Sequence, residues 1–128
     1  MRLLLDTHAF IWWIEDDPRL SNAARVLLQD RANGVFLSIG SIWEIAIKVG
    51  VGRLRMPSEL RAFLADQVAR TGFSLLPIAF EHVVAVHALP QHHRDPFDRL
   101  LIAQSRQEGL SLVSRDEKLA LYDVELVW

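Results

Sequence analysis

Short apolar runs alternate with longer segments of helical periodicity along the whole of this 128-residue chain. The short runs have the length and composition of buried strands. They are Arg2–Leu5, Val35–Ser38, Ser74–Ile78, Ser111–Ser114 and Val124–Val127. The longer segments predict helices, and they are Ala9–Ile14, Asn22–Gln29, Ile42–Val49, Glu59–Ala69, Phe80–His87 and Phe97–Gln107. This alternation predicts an α/β fold with a parallel or mostly parallel sheet and helices on both of its faces.

Three of the predicted helices are preceded by residues that favour a helix N-terminus. Ser21 comes directly before the second helix, and Pro57-Ser58 precedes the fourth. The sixth begins at Asp95-Pro96, where Asp would cap the helix and Pro would occupy its first turn. These signals set the expected starts of the helices.

The composition is that of one globular domain spanning residues 1–128. Hydrophobic residues make up 51% and charged residues 23% of the chain, and we find no repeat, low-complexity tract or linker. The apolar runs are far shorter than the roughly 20 residues that cross a membrane. With no cysteine, disulfides and thiolate sites are excluded, and we expect a soluble protein of the reducing cytoplasm.

The charge balance argues against a protein that holds nucleic acid by bulk positive charge. Fourteen Lys and Arg against sixteen Asp and Glu give a formal net charge of −2. That argument weakens if acidic residues cluster, because bound divalent cations would supply positive charge at the place where phosphate docks.

Acidic residues follow three of the predicted strands. Asp6 comes directly after the first strand, Asp116 follows the fourth, and Glu44 is predicted in the first turn of the helix after the second. Asp95 and Asp98 lie at the start of the helix that leads into the fourth strand. In a parallel sheet the carboxyl ends of the strands share one edge, where ligands bind. We therefore expect these acids to cluster.

Taken singly, each acid also has a structural explanation. Asp6 could cap the helix that follows it, and Asp116 could start a turn. Glu44 could close a capping box with Ser41 or pair with Lys48 one turn later.

Asp98 could likewise favour the positive end of its helix dipole, with Asp95 as the cap. These explanations do not account for the fact that acids follow the first, second and fourth strands at the same edge of the predicted sheet. Clustered carboxylates repel one another unless a cation lies among them, and their oxygens suit Mg²⁺ or Mn²⁺. Two such ions about 3.5–4 Å apart would activate water and stabilise the leaving oxygen in a displacement at phosphorus.

Four segments of the chain resemble the successive motifs of PIN-domain proteins, in particular the toxin subunits of the VapBC type. The segments are Leu3–Ala9, Ser38–Ala46, His93–Gln104 and Val113–Asp116. The resemblance runs from Arg2 to Trp128, and the run Asp-Pro-Phe-Asp-Arg at residues 95–99 is its most specific part.

The resemblance implies a three-layer α/β/α sandwich with a mostly parallel central sheet. It also implies Mg²⁺- or Mn²⁺-dependent endonucleolytic cleavage of RNA, homodimerisation, and inhibition by a cognate antitoxin protein. By position, Asp6, Glu44 and Asp98 match the three central catalytic and metal-binding acids of the family, and Asp116 matches the more variable fourth.

Several neighbours of the acids are candidates for supporting roles. Asp95 is expected just outside the metal ligands, and Thr7 and Ser114 could hydrogen-bond the carboxylates or a metal-bound water, although they could equally be caps. Arg99 and Arg115 are candidates for a phosphate clamp, or they could simply pair with nearby carboxylates.

The five histidines do not predict a zinc site. His82 and His87 are five residues apart and diverge on a helix, and His92-His93 are adjacent, so neither pair has metal-ligand spacing. His93 and Arg94 could touch a substrate phosphate, but solvent exposure is the simpler expectation.

Three tryptophans differ in whether the sequence predicts them in the core or at an interface. Trp12 and Trp13 are adjacent, so on a helix they point about 100° apart. We expect one of them to meet a partner, such as a second protomer or an antitoxin segment, with packing beneath a loop as the alternative. Trp43, within the Glu44 helix, is predicted to be core.

Two other classes of protein remain to be compared. A phosphoacceptor receiver domain would show paired acids after the first strand, an Asp closing a middle strand, and a Lys near the last strand. Here Asp6 stands alone, the third strand ends without an acid, and no Lys follows Lys118.

A PIN fold that only binds RNA or protein would most simply have lost a central acid, and all three are present. The sequence does not identify the RNA substrate, which could be transfer, ribosomal or messenger RNA. It does not identify the preferred ion either.

Overall fold

All 128 residues are described by the computed structural model, which contains five strands and six α-helices. The strands are β1 (Arg2–Leu5), β2 (Gly34–Ser38), β3 (Ser74–Leu76), β4 (Ser111–Val113) and β5 (Leu126–Val127). The α-helices are α1 (Thr7–Ile14), α2 (Asn22–Gln29), α3 (Ile39–Gly50), α4 (Leu60–Thr71), α5 (Phe80–His87) and α6 (Pro96–Glu108). A short 3₁₀ helix spans Glu117–Leu121. Every predicted element is present, with shifts of a few residues at the ends.

The five strands form one sheet in the order β3-β2-β1-β4-β5, and every pairing is parallel. The prediction of a parallel sheet is therefore confirmed. The chain builds outward from β1 to β3 and then returns to the other side of β1 to form β4. The order of connection thus reverses between β1 and β4, and ligands of open parallel sheets bind beyond the carboxyl ends of the strands at such a reversal.

Two hydrophobic clusters lie on opposite faces of the sheet. Leu3 and Leu5 belong to a cluster shared with α1 to α4. Leu4 belongs to a second cluster shared with α5 and α6. Side chains alternate between the faces of a strand, and all three leucines are fully buried. The arrangement is the expected α/β/α sandwich, and none of its helices is long and apolar enough to serve as a membrane span.

The helix starts confirm two of the three predicted caps. Ser21 accepts a hydrogen bond from the Ala24 N–H, and Asp95 accepts from the N–H groups of Phe97 and Asp98. The prediction for α4 is wrong, because its N-cap is Glu59, whose side chain makes no capping bond.

Helix α3 begins three residues earlier than predicted, which moves Glu44 from its first turn to its second. Ser38 caps the helix by accepting from the Gly40 N–H, so a capping box between Ser41 and Glu44 is not formed. Gly40 brings α3 close to α6: a β-carbon there would lie 2.6 Å from Cδ2 of Leu100. This close approach places Glu44 and Asp98 on facing helices.

The tryptophans differ in burial. Trp12 is buried and contacts Trp128 edge-on at 5.9 Å between ring centroids, whereas Trp13 is half-buried against Phe73. Their predicted divergence is confirmed, and a partner for either stays a prediction. Trp43 was expected in the core, and this is wrong: its exposed fraction is 56%. On α3 Ile45 is fully buried, whereas Trp43 points outward and contacts Phe97 edge-on at 5.2 Å between ring centroids.

Candidate active site

An open pocket of about 410 Å³ lies beyond the carboxyl ends of β1 and β4, at the reversal of the strand order. Five carboxylates line it, and they are Asp6, Glu44, Asp95, Asp98 and Asp116. The predicted clustering of the acids is thus observed. The cationic or aromatic side chains His8, Trp12, Lys48 and Arg115 complete most of its wall.

Asp6 is held at the end of β1 by a hydrogen bond from the start of α1. Its Oδ1 accepts from the Ala9 N–H at 2.7 Å, so it does cap α1 as the structural explanation proposed. The nearby Ser114 hydroxyl lowers the pKa of this carboxyl. Burial nevertheless raises the pKa of Asp6, and repulsion from Glu44 adds to that increase. Capping and membership of the pocket are therefore not alternatives here.

Glu44 is fixed from both sides. The Thr7 hydroxyl lies 2.7 Å from its Oε1 and 3.0 Å from Ser41 Oγ, and Lys48 Nζ lies 2.5 Å from its Oε2. The possible pairing with Lys48 is confirmed. Thr7 contacts the carboxylate as predicted, so the orientation of Glu44 is set before any ligand arrives.

Asp98 is a second acid of the pocket whose pKa is raised. Burial raises its pKa to about 7, and repulsion from Asp95, Asp6 and Glu44 contributes to the increase. The nearby imidazole of His93 acts in the opposite direction. Asp95 caps α6 while lining the pocket. Helix α6 thus directs two carboxylates into a space already occupied by others.

Asp116 is joined to a residue that the sequence placed in solvent. His93 Nε2 lies 3.2 Å from Asp116 Oδ2, and only 9% of the His93 side chain is exposed. One donor atom from each of His93, Asp98 and Asp116 falls within a group whose members are all within 4.8 Å of one another. The expectation of an exposed His93 is wrong. Its one signal in the sequence was its position two residues before Asp95.

Arg99 and Arg115, the two candidates for a phosphate clamp, differ in their surroundings. Arg99 is buried, and its guanidinium donates to the carbonyls of Val86, Leu89, Pro90 and His93. It cannot clamp phosphate, and that prediction is corrected. The guanidinium of Arg115 lies over the ring of Trp12 at 5.9 Å and faces the pocket.

The pocket has more negative charge than its own cations neutralise. Lys48 pairs with Glu44, but no Lys or Arg forms a salt bridge with Asp6, Asp95, Asp98 or Asp116. Buried, mutually repelling carboxylates fit a divalent cation, which would neutralise them through the hard oxygen ligands that Mg²⁺ and Mn²⁺ take. The site is chemically suited to such an ion.

Comparison with known proteins gives a consistent result. A family model described as "PIN domain" matches residues 3–125. Ribonuclease VapC16 of Mycobacterium tuberculosis is 35% identical over 74 residues, which cover 55% of this chain and 51% of that protein. The alignment thus spans about half of that relative's length. Ribonuclease VapC22 of the same organism is 28% identical over 120 residues, covering 91% of this chain and 88% of that protein.

The fold is shared with a solved structure of low sequence identity. The crystal structure of VapBC2 from Rickettsia felis, bound to a DNA fragment from its promoter, superposes with a TM-score of 0.73 at 16% identity. The superposition covers 99% of this chain and 98% of that one.

Proposed function

This chain belongs to the PIN domain family, and we propose that it is a divalent-metal-dependent endoribonuclease, the toxin of a type II toxin–antitoxin pair. One observation carries the proposal: five carboxylates line a single pocket at the reversal of the strand order. Burial, together with repulsion from the neighbouring acids, raises the pKa of Asp98 to about 7, and a bound cation would relieve this electrostatic cost.

Four acids would hold the metal, namely Asp6, Glu44, Asp98 and Asp116. When bound, Mg²⁺ or Mn²⁺ lowers the pKa of a water and stabilises charge on the phosphodiester oxygens. The protein's own groups set the geometry of this site. Thr7 and Lys48 fix Glu44, and the Ala9 N–H orients Asp6, so little reorganisation accompanies binding.

The walls of the pocket suit a flexible phosphodiester strand. Arg115 makes no salt bridge to a carboxylate and lies at the pocket beside Trp12, where it would bind a backbone phosphate. His8 is exposed and lies 5.5 Å from the Trp12 ring, so it offers an aromatic face on which a base could stack. RNA, rather than another phosphodiester, is proposed because two relatives are named as ribonucleases.

The proposed partners are an antitoxin protein and a second copy of the chain. Both follow from the resemblance to toxins of the VapBC type, and exposed apolar side chains beside the pocket are compatible with a protein partner. Ile39, Trp43 and Ile47 recur at four-residue intervals on α3, Val51 follows at its C-cap, and all four are exposed. Such a stripe is typical of a surface that another chain covers.

The test is cleavage of end-labelled single-stranded and hairpin RNA by the purified chain, free of antitoxin, with Mg²⁺, with Mn²⁺ and with chelator. We expect cleavage only with metal. Asp6→Asn and Asp98→Asn should each lower the rate at least about a hundredfold, because each removes a preorganised charge.

The matched control is Asp66→Asn, since Asp66 is an exposed acid of α4 that pairs with Arg70 on the same helix. It should cleave like the wild type. Wild-type protein that binds metal and RNA but leaves both RNAs intact would contradict the proposal and favour a PIN fold that only binds.

A further inference from the structure

We propose that His93 is a nitrogen ligand of the divalent ion in this pocket, together with Asp98 and Asp116, and that it biases the site toward Mn²⁺ over Mg²⁺. The inference rests on the proposed function for the presence of an ion. It adds a ligand that lies outside the four acids and that the spacing of the histidines gave no reason to expect.

The first support is geometric. Donor atoms of His93, Asp98 and Asp116 all lie within 4.8 Å of one another. Two ligands of one ion, each about 2.1 Å from it, lie about 3.0 Å apart when adjacent and about 4.2 Å apart when opposite. The distance of 3.2 Å between His93 Nε2 and Asp116 Oδ2 is already close to the adjacent value, and side-chain rotation would bring Asp98 to the same ion.

The second support is the environment of the imidazole. The side chain is 9% exposed, and its only polar contact is that between Nε2 and Asp116. Nδ1 is buried without a hydrogen-bond partner. A buried histidine kept only for packing would be expected to satisfy both nitrogens, whereas the one polar contact of this ring is with a carboxylate of the ligand group.

The third support is the way in which the ring is held. Arg99 donates to the carbonyl of His93 and to that of Pro90, which fixes the backbone of the loop before α6. The ring of Tyr122 packs against the imidazole at 5.5 Å between centroids. Arg99 and Tyr122 are thus positioning residues, and they fix the ring without occupying its nitrogens.

A nitrogen ligand has a consequence for the choice of metal. Mg²⁺ prefers oxygen ligands and retains several waters, while transition-metal ions accept imidazole more readily. A site of carboxylates alone would discriminate little by ligand softness. Replacing one oxygen ligand by His93 strengthens binding of Mn²⁺ relative to Mg²⁺.

The experiment uses the full chain with Mn²⁺ alone and no RNA. Pulsed electron paramagnetic resonance of the wild type should show modulation from a directly bound nitrogen, and the pattern should change when histidine is labelled with ¹⁵N. In His93→Gln the modulation should disappear. His92→Gln is the matched control, because His92 also packs on Tyr122, at 5.0 Å, yet lies outside the ligand group.

Calorimetric titration provides the second readout. We expect the Kd for Mn²⁺ to rise about tenfold in His93→Gln, with a much smaller change for Mg²⁺, because glutamine can still present an oxygen. Absence of histidine nitrogen modulation in the wild type overturns the inference, and this measurement needs no variant to fold. Equal weakening of both metals also overturns it, since His93 would then act only by holding Asp116.

Failure of this inference is separable from failure of the proposed function. Metal-dependent RNA cleavage without nitrogen modulation would leave the nuclease in place and remove His93 from the ligands. Nitrogen modulation in a protein that never cleaves RNA would establish the ligand and remove the nuclease.

Discussion

Helix α6 carries a network of buried polar groups at each end, and the two networks differ in how their charges are matched. Near the C-terminal end, His82 Nε2 lies 2.8 Å from Glu108 Oε1, and His82 Nδ1 accepts from the Ala79 N–H. Gln104 donates to the Pro77 carbonyl, although its own Oε1 has no partner. Near the N-terminal end, Asp98 faces other carboxylates.

The two networks show the difference between polar groups that stabilise the fold and polar groups whose charges are left unmatched. A histidine beside a carboxylate is present in both networks, so residue types alone do not distinguish them. In the His82 network donors meet acceptors, and each bond stabilises the packing of α5 on α6. In the pocket the surplus of negative charge opposes folding, and under the proposed function the same groups would be strong ligands for a cation.

The largest effect that would test this difference is the pH dependence of stability in the presence of chelator. The pKa of Asp98 rises from 3.8 to about 7 on folding, so the folded protein keeps a proton that the unfolded chain loses between these values. The contribution of Asp98 to the free energy of unfolding should therefore be greatest below about pH 4 and should be lost as the pH rises to about 7.

Asp98→Asn should remove this decrease. We expect it to stabilise the metal-free protein by about 2–4 kcal/mol at pH 8 and to change little at pH 4, as measured by urea unfolding at both values. Asp66→Asn is again the control. Parallel stability curves for wild type and Asp98→Asn would mean that Asp98 carries no electrostatic cost, and the contrast between the two networks would fail.

A smaller effect of opposite sign is expected in the His82 network. His82→Leu leaves the Ala79 N–H without its acceptor and removes the contact with Glu108. We expect a loss of about 2 kcal/mol in the free energy of unfolding, measured by urea unfolding at pH 7. The rate of RNA cleavage per folded molecule should stay unchanged. A stable variant with altered cleavage would show that the two ends of α6 are coupled.

The sequence predicted most of the fold and the acids of the pocket because both follow from local pattern. Strand ends are readable over a few residues, so Asp6, Glu44 and Asp116 could be assigned to the same edge. The distances between these acids and the role of each acid could not be predicted, because both depend on how the helices pack on the sheet.

The errors concern residues whose surroundings are distant along the chain. Arg99 is buried where it donates to backbone carbonyls of residues 86–93. The path of the loop between α5 and α6 could not be predicted from residue spacing. His93 is covered by Tyr122, which is 29 positions away in the sequence. Trp43 was assigned to the core because it is large and apolar, but its orientation depends on where α3 begins and which face meets α6.

The smallest expected effect concerns Arg115, the cation of the pocket that remains available to substrate. Arg115→Met keeps an apolar side chain beside Trp12 and removes the guanidinium that lies over its ring, so the free energy of unfolding should change by less than about 0.5 kcal/mol. RNA affinity, measured by fluorescence anisotropy across a salt series, should fall severalfold, and the slope of log affinity against log salt should decrease by about one. Arg70→Met, on the exposed face of α4, should leave that slope unchanged. If both variants gave the wild-type slope, the phosphate would have to be held by Lys48, and Arg115 would belong with the stabilising groups of the fold.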